Sequence, residues 1–260
     1  MGKQYKKNEN QKKRTYMPLK DGTIRISGYN TVLEKIKAGN PVSEIYLQKG
    51  SSHQEIELAA AKAGVPIRYM EKEEMDRYTD DRHQGVIAVA KAYQYAEIDD
   101  ILAVAAANDE PPFVILLDQI TDPHNLGAII RTAHQAGCHG VIIPERRSAP
   151  ITEVVARTSA GAIEYLPVAQ VTNLNQTIDY LKKKGLWIAG ADMNGQIMYE
   201  ADLKGALGIV IGSEGEGISR LTAEKCDFMV SIPMFGQVDS LNASVSAGIL
   251  IYEALRQRDY

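Results

Sequence analysis

From Gly22 onward the apolar positions come in short bursts that switch between two periods. Alternating or continuous apolar runs predict strands at Ile24–Gly28, Ser43–Leu47, Ile67–Met70 and Val86–Ala90. Between them, residues spaced at three and four predict helices over Thr31–Ala38, Gln54–Ala63 and Lys72–Tyr78. Gly64 follows the second helix, where a glycine can take the left-handed conformation that ends one. The result is a βαβαβαβ series, enough for a small α/β domain.

Residues Ala92–Ile98 read as a linker, with a helix over Asp99–Ala107 beyond it. Pro111-Pro112 then introduces Phe113–Leu117, an apolar run of the kind buried on both faces of a parallel sheet. Further strands are predicted at Gly140–Ile143, Tyr165–Val168, Leu186–Ala191, Gly208–Ile211 and Phe228–Ile232. Helical segments at Leu126–Gln135, Thr152–Ala160, Leu174–Lys184 and Ile218–Glu224 alternate with them. A last helix, Asn242–Arg258, lines up Leu241, Val245, Ile249, Tyr252 and Leu255 as its apolar stripe. Its small residues Ala243, Ala247 and Gly248 are read as core packing, with a dimer seam as the weaker reading. The chain thus divides into two α/β domains, with the boundary near 92–108.

Composition narrows the class. With 260 residues, 45% hydrophobic and 24% charged, this is an ordinary globular chain without a bilayer-length apolar run. The formal charge of −4 conceals an asymmetry. Residues 1–20 hold seven basic side chains and one acid, leaving 22 basic against 32 acidic residues in the remainder. The arm at 1–21 is too polar to fold alone and suits a polyanion, or is simply solvated. Cys138 and Cys226 have no metal-type spacing and suggest a reducing cytoplasm. His53, His134 and His139 form no cluster with acids or cysteines, so no metal site is expected. Trp187 is expected in the core.

Candidate chemistry concentrates in three loops that follow strands, where parallel α/β domains bind ligands. Asp118–Gly127 leads into the helix carrying Arg131, with Asn125 suited as its N-cap. Taken alone, that is a capped helix with one surface arginine, and His124 is a turn residue. Gly212-Ser213-Glu214-Gly215-Glu216-Gly217 is G-x-x-G-x-G rather than the dinucleotide order G-x-G-x-x-G. Its two carboxylates would repel a pyrophosphate and suit a neutral or cationic ligand, although a sharp glycine turn would also explain it. Ile232–Asn242 places Ser240 and Asn242 at the start of the final helix, as ligand contacts or merely as caps.

Together, Asn125–Ala133, Ile211–Gly217, and Ile232-Pro233-Met234 through Ser240–Ser244 resemble the three signature motifs of the SpoU (TrmH-type) RNA ribose methyltransferases, in order. The resemblance covers about residues 22–258. The first domain, with His83–Ala88, is similar to the ribosomal-protein-like domain of the branch that methylates a guanosine of 23S rRNA. The resemblance implies a 22–91 substrate-binding domain, a 92–108 linker and helix, and a 109–260 mostly parallel α/β domain with a deep trefoil knot. It implies S-adenosylmethionine as donor and a homodimer with the active site near its interface. Gly212, Ile232 and Leu241 are carried over as cofactor-binding, and Asn125, Arg131, Glu214, Ser240 and Asn242 as the catalytic set. Phe235 and the basic arm depart from what it leads one to expect.

A guanidinium is a poor base, so Arg131 is assigned to hold an RNA phosphate and the developing alkoxide. Ser240 or a water relays the proton, while Glu214 and Asn125 position Arg131 and the loop. Ribosomal RNA is the expected substrate, with tRNA as the rival, and Arg82 and His83 are candidates for RNA contact. A catalytically silent RNA-binding assembly factor, opposed by the intact Arg131, Glu214 and Asn242, and a nucleotide-dependent oxidoreductase, opposed by the glycine order, are the other readings.

Overall fold

The structure, a computed structural model, describes residues 22–79, 82–237 and 240–259. The basic arm lies outside these residues. The first domain is a four-stranded sheet in the order β1 (Thr23–Ser27), β4 (Val86–Lys91), β2 (Val42–Gln48), β3 (Ile67–Met70). Strand β4 runs antiparallel to both neighbours, and β2 pairs with β3 in parallel. Helices α1 (Tyr29–Lys37) and α2 (Gln54–Ala63) bury Val32, Leu33 and Ile36, and Ile56 and Ala60, against it. Gly64 ends α2 at φ 68°, as its position predicts. The helix predicted over Lys72–Tyr78 is shorter: α3 spans Lys72–Met75 and a turn follows.

The second domain is a six-stranded, wholly parallel sheet. Its order is β10 (Phe228–Ser231), β8 (Trp187–Ile197), β9 (Leu207–Ile211), β5 (Phe113–Leu117), β6 (Gly140–Pro144), β7 (Val168–Val171). Strand β5 shows why its sequence is apolar throughout. Phe113, Ile115 and Leu117 face the layer of α5 (Pro123–Gln135) and α9 (Ala243–Asp259). Val114 and Leu116 face α4 (Ile98–Ala107) and α7 (Leu174–Lys183). All five are buried, so period two cannot be read from polarity.

Three expectations are corrected. The strand predicted at Tyr165–Val168 begins at Val168, because positive φ at Ala160 and Gly161 starts a 3₁₀ turn over Ala162–Glu164 that displaces it. Trp187 is 63% exposed: it opens β8 with its side chain outward, and Ile188 takes the core position. The stripe on α9 is also turned. Ala243, Ala247, Leu250, Ile251 and Ala254 are buried, whereas Val245 and Tyr252 stand about half exposed. Small residues face inward because α5 lies close, and a Cβ on Gly248 would sit 3.7 Å from Thr132.

The predicted linker is fastened down. Tyr93 and Tyr95 accept hydrogen bonds from the Val168 and Ile151 amides, and Ala96 bridges to Ala169. The two domains also meet through a buried ion pair, Lys35 Nζ to Glu164 at 3.0 Å. Asn40 Nδ2 donates to the same carboxylate at 2.8 Å. Tyr165 donates to Glu34 at 2.6 Å, and its ring stacks on His134. Burial and the adjacent carboxylate push the Tyr165 phenol up to about 12.

Candidate active site

The site lies beyond the carboxyl ends of β9 and β10 and against the stretch of β8 that leaves its ladder, where three segments close on one another. After β9 the chain turns on Gly212, where a side chain has no room. A Cβ there would meet the Gly217 carbonyl carbon at 2.1 Å. Ser213 and Gly217 then exchange two backbone hydrogen bonds, at 3.1 and 3.0 Å, closing a small hairpin with Glu214-Gly215-Glu216 at its tip. Gly217, at φ 65°, makes the return possible. Asp118, buried at the end of β5, accepts from the Ser219 amide at 2.8 Å and pins the far leg.

The hairpin presents Glu214 to two asparagines. Its Oε1 accepts from Asn125 Nδ2 at 2.8 Å and from Asn242 Nδ2 at 2.5 Å, and Asn242 Nδ2 also reaches Asn125 Oδ1 at 3.0 Å. Asn242 has a second task. Its Oδ1 accepts from the Ser244 amide, the Ser244 hydroxyl and the Val245 amide, capping α9. Asn125 is not the cap expected of it. Asp122 Oδ1 accepts from the His124 amide with Pro123 at the first helical position, which leaves the Asn125 side chain for Glu214. His124 stands 3.4 Å from Thr158.

The other wall comes from β8. This strand pairs with β10 at Gly190↔Met229 and resumes at Gln196↔Val230, so residues 191–195 leave the ladder while β10 advances by one residue. Gly195 returns hard against β10, where a Cβ would meet Met229 backbone at 2.5 Å. Ala191–Asn194, the hairpin, and Ile232, Met234, Ser240 and Leu241 enclose a pocket of about 370 Å³.

The structure thus brings Asn125, Glu214 and Asn242 into contact, and lines one pocket with Gly212, Glu214, Ile232, Ser240 and Leu241. It does not bring in Arg131. That side chain is exposed on α5 and lies outside the pocket lining. Six positions beyond Asn125, it is turned about 120° around the helix and displaced about 9 Å along it. Arg131 instead shares a helix face with Gly127, which packs against α6 (Glu153–Thr158). Sequence reasoning missed the wall at 191–194 and the pin at Asp118. The glycines flanking the excursion, Gly190 and Gly195, were the available signal. His83 is corrected as a candidate for RNA contact: it is buried, accepts from the Gly85 amide at 3.0 Å and meets Asp76 at 3.0 Å, so both ring nitrogens are spent on a turn.

Comparison with known proteins identifies the family. The profile of the SpoU rRNA Methylase family matches residues 112–252, and that of RNA 2′-O ribose methyltransferase substrate binding matches 25–96. A Bacillus subtilis protein, provisionally named as the TrmH family tRNA/rRNA methyltransferase YacO, is 44% identical over 90% of this chain and 96% of its own. A Staphylococcus saprophyticus protein with a similar provisional name is 45% identical over 91% and 97%. Among solved structures, the SpoU methyltransferase AviRb from Streptomyces viridochromogenes, in complex with AdoMet, superposes with a TM-score of 0.78. It is 25% identical, over 91% of this chain and 90% of its own. The chain belongs to the SpoU family, whose methyltransferase domains are knotted, and is an S-adenosylmethionine-dependent RNA methyltransferase.

The residues present fit that donor. The pocket is within the usual size range for a small-molecule site. Asp192, Glu214 and Glu216 stand around it, and they favour a sulfonium while opposing a polyphosphate. The absence of a side chain at Gly212 lets the hairpin close on Gly217 and so shapes the loop that lines the pocket. Among the described residues no cluster of His, Cys, Asp and Glu could hold a metal ion, and no helix is long and apolar enough to cross a membrane.

Proposed function

We propose that the chain methylates a ribose 2′-hydroxyl, with a guanosine of 23S rRNA as its substrate, and works as a cytoplasmic homodimer. The observation that carries this reading is the Glu214 carboxylate. It is shared by the donor pocket and by two asparagines at the starts of separate helices, and so ties the donor loops to the surface from which an acceptor arrives. Methylation of a base carbon through a covalent adduct would require an activated nucleophile. Neither cysteine lines the pocket, and burial pushes both thiols up, Cys226 to about 12. An oxygen acceptor needs no such adduct.

In this reading Gly212, Ile232 and Leu241 hold the donor through backbone groups. When bound, S-adenosylmethionine supplies a methyl carbon made electrophilic by its sulfonium. Asn125 and Asn242 fix the Glu214 carboxylate and set the spacing of the hairpin from α9, and alignment of this kind supplies much of the rate. Ser240, exposed at the pocket, stands to relay the hydroxyl proton. Arg131 faces away from its own pocket, so it serves the pocket of a second copy, holding the acceptor phosphate and stabilising the alkoxide. The half-exposed Val245 and Tyr252 of α9 offer an apolar seam for that copy.

The test is direct. Purified protein with labelled donor and transcribed 23S rRNA should yield an alkali-resistant 2′-O-methylguanosine dinucleotide at one position. A mark on tRNA alone would move the substrate, and a base-methylated nucleoside would overturn the ribose assignment.

A further inference from the structure

Phe235 is 99% exposed. Its ring is wholly open to solvent, so a partner that covers it gains the burial of a full aromatic face. The ring follows Met234, a pocket residue, in the segment between β10 and α9, and the nearby Ser240 and Leu241 also line the pocket. Met193, 58% exposed, stands on the opposite wall. Met193 on the pocket wall and Phe235, one residue beyond the lining Met234, are thus exposed apolar side chains, and Asp192, Glu214 and Glu216 beside the pocket are exposed carboxylates. Those carboxylates repel a phosphate but not a neutral base, which can bring its π face to an exposed ring.

We propose that Phe235 is the stacking platform for the nucleobase of the nucleotide being methylated, with a preference for a purine. The assignment rests on the ribose reading above. A second copy of the chain is the poorer occupant. Gly236, Gln237 and Ser240 in the same segment are exposed and non-hydrophobic, so the apolar surface there is broken rather than continuous. The contiguous apolar stripe that a subunit seam requires lies on α9, at Val245 and Tyr252. Stacking on an aromatic ring tolerates any base but strengthens with its area, which suits a purine.

The experiment compares Phe235→Ala, Phe235→Leu and Phe235→Trp in the full chain. Three quantities are read: calorimetric affinity for S-adenosylhomocysteine, mass by light scattering, and kcat/KM on transcribed 23S rRNA. Phe235→Ala should lower kcat/KM by about 5- to 150-fold, the range of one base–aromatic stack, with affinity and mass unchanged. Phe235→Trp should restore it, and Phe235→Leu, apolar but not flat, should not. The assignment is overturned if Phe235→Ala is as active as wild type, if leucine rescues fully, or if Phe235→Ala loses its partner subunit or its donor affinity. Wild-type protein that methylates no ribose overturns the underlying reading and this assignment with it. An active wild type indifferent to the alanine overturns only the latter.

Discussion

Asn242 does two things with two ends of one amide, and Asn242→Asp separates them. The acceptor Oδ1 that caps α9 is retained, so the helix keeps its three hydrogen bonds. The donor end becomes a carboxylate oxygen at the position now 2.5 Å from Glu214 Oε1 and 3.0 Å from Asn125 Oδ1. Two unit charges about 3 Å apart repel by about 1.4 kcal/mol at the dielectric of water and about 5 kcal/mol at an effective value near 20. Both residues are exposed, so the lower part of that range applies. Adding the lost hydrogen bonds gives about 2–3 kcal/mol, or roughly 30- to 150-fold in affinity for S-adenosylhomocysteine at pH 8. Asn242→Ala loses the cap as well and should cost a further ~1 kcal/mol of stability. Near pH 5 one carboxyl of the pair in the Asn242→Asp variant should take up a proton and bridge to the other, recovering much of the affinity, because like charges raise one pKa of a pair. Calorimetry at both pH values, alongside a melting curve, measures this. The reasoning fails if Asn242→Asp binds within about threefold of wild type at pH 8, or if its deficit is the same at both pH values.

Other consequences follow from the same geometry. Gly212→Val should abolish measurable donor binding while lowering the melting temperature by only about 2–10 °C, since the clash opens a surface hairpin and not the core. Mixing Arg131→Ala with Gly212→Val chains should restore about a quarter of wild-type turnover if the arginine acts across subunits, and none if it acts within its own. Glu164→Ala leaves Lys35 buried without its partner and should cost about 3–5 kcal/mol, read as a drop in urea midpoint. Iodoacetamide at pH 7.5 should leave Cys138 and Cys226 unlabelled in the native protein and label both in urea, because burial holds both thiols protonated.

The sheet strands of the second domain were legible because runs such as Val114–Leu117 have no other use than burial on two faces. The three loops were legible from residue types that strands and helices disfavour. What escaped was set by contacts distant in sequence. Helix α9 looks apolar along Val245 and Tyr252, yet buries its alanines, because the approach of α5 decides which face fits. Asn125 reads as a cap until Asp122 and Pro123 take that role. Arg131 joins the motif in sequence and leaves it in space, since six residues of helix turn it away from Asn125.

The five residues that β8 spends outside its ladder have a consequence for how this site varies. Because pairing with β10 resumes after the excursion, residues can be gained or lost at 191–194 without shifting the pairing on either side. One rim of the methyl-donor cleft is thereby uncoupled from the framework that carries it. Related chains can resize that rim for a different acceptor while the sheet stays as it is, and a designer has the same freedom at those four positions.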